Sequence, residues 1–366
     1  MEQRHPHRRL LDPVADRRQF LKGAALLSAG LALRRPSAAT AEAAGVDLRA
    51  PAETPQPARS RVSFLTGTDR REMVYKAMLP FKEEIQKGVQ GKQVFIKPNF
   101  VATSVPLCAT HVDAVRGVLD FLTPLYPGRI LIGESPAGGR PAQGFENYGY
   151  LALEKEYNVS LIDLDTLPTR PIWVIDRNIH AVPCEMIAEF LDPKNYFISV
   201  TRPKTHDTVV ATMGLKNMLM AAPVGGRDRG NMKRVMHSGG PRWLHYNLFL
   251  AAQHIRPHLT VIDGLEGMQG SGPIRGTAID HGVALAGTDV CAVDAITAQL
   301  MGIPLENIGY LTYCGNAGLG VTDAARIDIV GDKAPKDYVK KYELHANIEQ
   351  LLDWRTDLSV GRPRLG

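Results

Sequence analysis

From Arg61 onward, short apolar runs rich in β-branched and aromatic residues alternate with longer stretches whose apolar positions recur at helical spacing. The runs fall at residues 61–65, 94–97, 129–133, 159–164, 196–201, 259–263, 283–287 and 327–330. The helical stretches fall at residues 70–86, 112–125, 145–157, 243–254 and 290–301. Nearly continuous apolar strands are buried on both faces, and their alternation with helices is the pattern of strand–helix–strand units. The chain is therefore expected to be α/β, a mainly parallel or mixed sheet flanked by helices in two closely joined lobes. Ligands of such sheets gather at the carboxyl ends of the strands. Those ends carry Lys97-Pro98-Asn99, Gly133-Glu134-Ser135, Pro203-Lys204-Thr205-His206 and Asp263-Gly264.

The first residues follow another pattern. Arg17 and Arg18 precede Gln19-Phe20-Leu21-Lys22, residues 23–33 are apolar, and Ser37-Ala38-Ala39 and Ala41-Glu42-Ala43 follow. A basic stretch, a short apolar core and an A-x-A-like end make an export signal. Paired arginines specify the twin-arginine route. Residues 1–43 are thus expected to be a twin-arginine signal read by the Tat export machinery, placing the rest in the periplasm or outside the cell. Residues 44–60, with Pro51, Pro55 and Pro57, are expected to form a flexible linker. Residues 61–332 would be the α/β domain and residues 333–366 a peripheral tail. No later run approaches the ~18–20 apolar residues a membrane helix needs, so no transmembrane helix is expected in the mature chain.

Composition changes this picture little; charge changes it more. The 366 residues are 44% hydrophobic and 22% charged, with a formal charge of +5. Residues 1–43 hold eight Lys/Arg against four Asp/Glu, so the remainder carries only about +1. That balance excludes nucleic acid as a partner. Cys108, Cys184, Cys291 and Cys314 lack the close spacing of a zinc site or an iron–sulfur cluster, and no cluster is expected. Disulfides and buried thiols both remain open.

The candidate chemistry concentrates between Lys204 and His258, which encloses His206, His237, His245, His254 and His258. Neutral imidazole is a common metal ligand and general base. His206 and His237 lie in loop-like contexts, whereas His245, His254 and His258 sit on or beside an apolar helix pattern and suit structural roles. Gly214-Leu215-Lys216-Asn217 opens an apolar helix ending near Pro223. A lysine in a dry site can become a nucleophile, and Gly214 lets backbone approach a ligand closely. Residues 267–276 are glycine-dense and include Arg275, which suits an anion-cradling or lid-like loop. Asp289 suits a helix N-cap, while Asp294, inside an apolar helix, suits pairing with a lysine or arginine.

In order, Lys97-Pro98-Asn99, Thr110-His111, Gly133-Glu134-Ser135, Pro203-Lys204-Thr205-His206, Gly214-Leu215-Lys216-Asn217, Asp263-Gly264, Gly272-Pro273 and Gly287-Thr288-Asp289 resemble the family catalogued as domain of unknown function 362, over residues 60–332. Many members of that family carry an iron–sulfur module, for which this chain lacks the cysteines. The family is distantly similar to the nickel-pincer lactate racemases, in which a lysine tethers a nickel-bearing pyridinium cofactor and histidines serve as nickel ligand and proton acceptors. That resemblance implies Lys216 as tether, with His206 ten residues before it and His111 and His237 as further imidazoles.

The expected function is accordingly a metal- or cofactor-dependent enzyme acting on a small, hydroxy-acid-like anion. His111, His206 and Lys216 would be catalytic, and His111, His206 and His237 would be ligands to a transition metal. Lys97 and Lys204 would neutralise the substrate, and Asn99 and Asn217 would orient it. The alternative is an exported binding protein for a metal or small anion, without turnover.

Overall fold

The computed structural model describes residues 59–225, 230–331 and 333–356. The twin-arginine pattern, and all of the expected linker except its last two residues, lie outside the described residues. All the described residues belong to one compact unit. The two lobes expected from the sequence are instead the two sides of one sheet.

Twelve strands form along the described chain: β1 (Ser60–Thr66), β2 (Gln93–Lys97), β3 (Ile130–Glu134), β4 (Val159–Asp163), β5 (Thr169–Ile175), β6 (Ala181–Ile187), β7 (Asn195–Thr201), β8 (Lys204–His206), β9 (Val210–Thr212), β10 (Leu259–Gln269), β11 (Thr277–Gly287) and β12 (Ile327–Val330). Ten of them make a mixed sheet whose main path runs β12-β1-β11-β10-β7-β2-β3-β4. The pairs from β10 through β7, β2 and β3 to β4 are all parallel. The β10–β11 and β11–β1 pairs are antiparallel.

Burial on both sides explains the unbroken apolar strands. Val94 and Ile96 enter one hydrophobic cluster while Phe95, between them, enters the other. The first cluster packs the sheet against α1 (Arg70–Met78), α2 (Lys82–Gly88) and α3 (Val112–Leu122). The second packs it against α4 (Gly214–Ala221), α5 (Pro241–Ala252), α6 (Val290–Leu300) and α7 (Gly309–Asn316).

The departures from the expected elements have local causes. The helix expected over residues 70–86 breaks into α1 and α2 around Pro80, which has no amide hydrogen to continue the ladder. The helix expected over residues 145–157 is split at Gly149, whose φ of 77° stops a helix. The β5–β6 hairpin was not anticipated, because Pro171 and Pro183 interrupt its alternation; prolines are tolerated only in such edge pairs. Described residues of the expected peripheral tail are anchored, with Tyr342, Leu351 and Trp354 buried. Among the described residues, no helix is long and apolar enough to cross a membrane.

One topological feature places the site. From β2 the chain winds outward through β3 to β4, whereas β7 lies on the other side of β2 and leads to β10. The direction of winding reverses between β2 and β7, where crevices form at the carboxyl ends of parallel strands. The ends of these two strands are Lys97-Pro98-Asn99 and Thr201-Arg202-Pro203-Lys204.

Candidate functional site

A cavity of about 630 Å³ opens at this reversal, on the side of the sheet covered by α4. Its walls include Lys97, Asn99, Glu134, His206, Lys216, Asn217, Lys233, His237, Arg275 and His345. Lys97, Lys204, Lys216 and Lys233 are each at most 5% exposed. What separates these four lysines is their partners.

Lys97 Nζ stands 2.5 Å from Glu134 Oε1 and also donates to the Pro98 carbonyl and to Asn217 Oδ1. Glu134 further accepts from the amides of Phe100 (2.7 Å) and Ser135 (2.9 Å). Burial pushes the Glu134 carboxyl up and the Lys97 amine down, and their mutual attraction opposes both shifts. Wherever the shared proton sits, the pair adds no net charge to the cavity.

Lys204 lies behind the wall and donates to Asn99 Oδ1 and to the Cys108 carbonyl, with burial lowering it to about 7. Asn217 donates to the Lys97 carbonyl (3.1 Å) and Ser199 Oγ (3.0 Å) and accepts from Asn99 Nδ2 (3.0 Å). These bonds consume the polar groups of Lys97, Lys204, Asn99 and Asn217. The four residues expected to bind substrate thus form a satisfied back wall.

Lys233 donates to the carbonyls of Met220 (2.8 Å) and Pro223 (2.9 Å), at the carboxyl end of α4. At the opposite end, Asp294 accepts from the amides of Gly214 (2.8 Å) and Leu215 (2.9 Å). The Asp294 carboxylate therefore does not pair with a lysine or arginine as expected; it caps α4, and burial raises it to about 7. A Cβ at Gly214 would collide with Thr260, so this glycine serves the approach of α4 to the sheet rather than to a ligand. Charges of the favourable sign stabilise both ends of this short helix.

Lys216, carried by α4, is different. Among the described residues it makes no hydrogen bond or ion pair, and burial lowers it to about 8. At pH 7 about a tenth of it is the free amine, against a few parts in ~10⁴ for an ordinary lysine.

Two imidazoles share the cavity with it. His206 Nδ1 accepts from the amides of Thr208 (3.0 Å) and Val209 (3.3 Å), so its proton resides on Nε2. Burial, then the Lys216 charge, holds His206 well below its ordinary value, so its 3.2 Å contact with Asp207 is not an ion pair. His237 Nδ1 lies 2.7 Å from the Lys233 carbonyl and must donate to it, leaving the Nε2 lone pair free. Burial, then Lys216, lowers His237 as well. One imidazole is a donor and the other an acceptor.

His111 is not brought to this cavity. It N-caps α3 on the opposite side of the sheet, accepting from the Asp113 amide at 3.1 Å, and is only half-buried. The expected trio of His111, His206 and His237 therefore does not assemble. Among the described residues, no group of three or more His, Cys, Asp or Glu is placed to hold a metal ion. His245 is buried and accepts from the Tyr310 amide, and His258 accepts from the Phe197 amide, as structural histidines do. The four cysteines are free buried thiols.

Nothing in the sequence points to Lys233 or His345 at the site, and it offers Glu134 and Arg275 only as part of a strand end and of an anion-cradling or lid-like loop. Glu134 had a signal, its place at a strand end. The glycine-dense loop does line the cavity, through Ser271 to Arg275, and a Cβ at Gly272 would collide with the Thr205 carbonyl. His345 comes from the tail and is placed by the packing of Tyr342, a placement with no local sequence signal.

A thylakoid-associated protein of Synechocystis is 26% identical over 239 residues, covering 64% of this chain and 70% of that protein. The lactate racemase apoprotein of Thermoanaerobacterium thermosaccharolyticum aligns at 11% identity with a TM-score of 0.34, over 56% of this chain and 50% of that chain. A protein of Thermotoga maritima aligns at 10% identity with a TM-score of 0.33, over 69% and 59% of the two chains. The family described as Domain of unknown function (DUF362) matches residues 94–299, a span that holds β2 but for its first residue, β3, β7, α4 and every cavity residue named above except His345. With more than half of its length matched, the chain belongs to the DUF362 family.

Proposed function

We propose that this protein is an enzyme that binds a small carboxylate in the cavity and acts on it through Lys216. The carrying observation is a fully buried lysine, unpartnered among the described residues, in a cavity whose other buried lysines are all paired. A buried amine without an acceptor destabilises the fold unless a ligand supplies its partner. Such groups concentrate at functional sites. The anion would meet Lys216 and the Nε2–H of His206, with Arg275 at the rim, and His237 Nε2 would accept a proton. Reaction at a carbon bearing a hydroxyl or carbonyl fits this set best.

A pure binding protein would use the same residues. It gains nothing from a lysine held so close to losing its charge, which favours catalysis.

A metal held by protein side chains alone does not fit the described residues. A group tethered covalently at Lys216 does, since the amine is unpartnered and faces a cavity of sufficient volume. Such a group would supply an electron sink, with His206 and His237 beside it. We place the mature protein outside the cytoplasm on the twin-arginine pattern at Arg17 and Arg18 alone; N-terminal sequencing of protein from an envelope fraction checks this.

The test is thermal melting of the full chain titrated with lactate, malate and pyruvate. A saturable rise in Tm that is lost in Lys216→Met supports the reading. An equal rise in the variant, or none from any of the three, refutes it.

A further inference from the structure

We propose that Lys216 is a carbonyl nucleophile that forms an imine with a small 2-oxo acid bound in the cavity. The inference rests on the small-carboxylate reading above and names its substrate class.

Three observations carry it. First, Lys216 is buried and its Nζ has no hydrogen-bond acceptor among the described residues, with Asp207 acting on it only through its charge. Neutral amines attack carbonyl carbon, and burial with a fall to about 8 keeps a usable fraction neutral near physiological pH. Second, Arg275 also lines the cavity, and its guanidinium has no side-chain or carbonyl partner among the described residues. A guanidinium fork matches a carboxylate in geometry and charge. The carboxylate of a 2-oxo acid is bonded directly to its carbonyl carbon, so holding one end presents the other. Third, the two imidazoles have opposite roles fixed by their backbone contacts. The Nε2–H of His206 can donate to the carbonyl oxygen, and the Nε2 lone pair of His237 can take a proton.

The step balances with these groups alone. The Lys216 nitrogen bonds to the carbonyl carbon, the carbonyl electron pair moves to oxygen, and His237 Nε2 carries one proton from nitrogen to that oxygen, giving a neutral carbinolamine. The second nitrogen proton follows the same route through His237 to the hydroxyl, which leaves as water. Nitrogen then supplies the second bond of the C=N. The amine has lost two hydrogens, the carbonyl its oxygen, and no oxidant or reductant is needed.

The full chain as purified is first mapped by peptide mass, then treated with pyruvate and sodium borohydride at pH 8 and mapped again. Hydride reduces an imine to a stable secondary amine. The expected result is an unmodified Lys216 peptide before treatment. Afterwards it carries one reduced pyruvate per chain, formed at least about ten-fold faster than on exposed lysines such as Lys155 and Lys194. Arg275→Ala should slow labelling about ten-fold, the loss of one charge-assisted contact, and Lys216→Arg should abolish it. Adducts spread over surface lysines, or a Lys216 already carrying mass, overturn the proposal. If pyruvate raises Tm without labelling Lys216, the imine fails and the carboxylate reading stands. If none of pyruvate, lactate and malate affects melting and Lys216 is not labelled, both fail.

Discussion

The carboxyl ends of the central strands carry charged residues on both sides of the sheet, and the two sides treat them differently. On the α1–α3 side, Arg70 pairs with Asp263 at 2.9 Å, Arg202 with Glu266 at 2.8 Å, and His111 caps a helix. On the α4 side, Glu134 answers Lys97, backbone carbonyls answer Lys233, and Lys216 has no hydrogen-bond or ion-pair partner among the described residues. Both sides hold buried ionisable groups at strand ends. What marks the α4 side as a site is a desolvated group left without a partner beside open volume, since buried charge is otherwise paired.

Breaking the pairs on either side should give the largest effect. Glu134→Ala leaves buried Lys97 without its counter-charge, and Asp263→Ala does the same to the partly buried Arg70. Each should cost about 3–5 kcal/mol in urea unfolding. Only Glu134→Ala should also weaken the Tm response to lactate or pyruvate. Equal responses in the two variants would erase the distinction between the sides.

Lys216→Met should act in the opposite sense. A lysine whose native pKa is depressed from 10.5 to about 8 gives up protons on folding. The associated penalty is absent above the unfolded value, grows as pH falls, and is complete below the folded value. The variant should therefore exceed the parent in stability by about 1–3 kcal/mol at pH 7. The gap should close as pH is raised from 8 toward 10.5. A variant less stable than the parent at pH 7 would make Lys216 a structural residue.

His111→Ala should have the smallest effect. It removes a helix cap worth about 1 kcal/mol and should leave the anion response unchanged. A lost response would bring His111 back into the site.

The sequence by itself determined the α/β class, most strand positions and the strand ends at which the cavity opens. Apolar continuity over residues such as Val94-Phe95-Ile96 needs only local reading, because burial on both faces leaves no other pattern. It also identified Lys216 and His206 as residues to watch, and Asp289 as the cap of α6, where it accepts from the amides of Cys291 and Ala292. Partnership was not legible. Asn217 and Lys97 are 120 residues apart, and Asp294 and Gly214 are 80 apart. Nothing local tells a lysine that has found an acceptor from one that has not. His111 and His206 were both expected to serve one site, yet His111 caps α3 on one side of the sheet and His206 lines the cavity on the other. Which buried lysines are satisfied depends on contacts between distant segments, so only the tertiary structure decided that Lys216, among the described residues, is left without an acceptor.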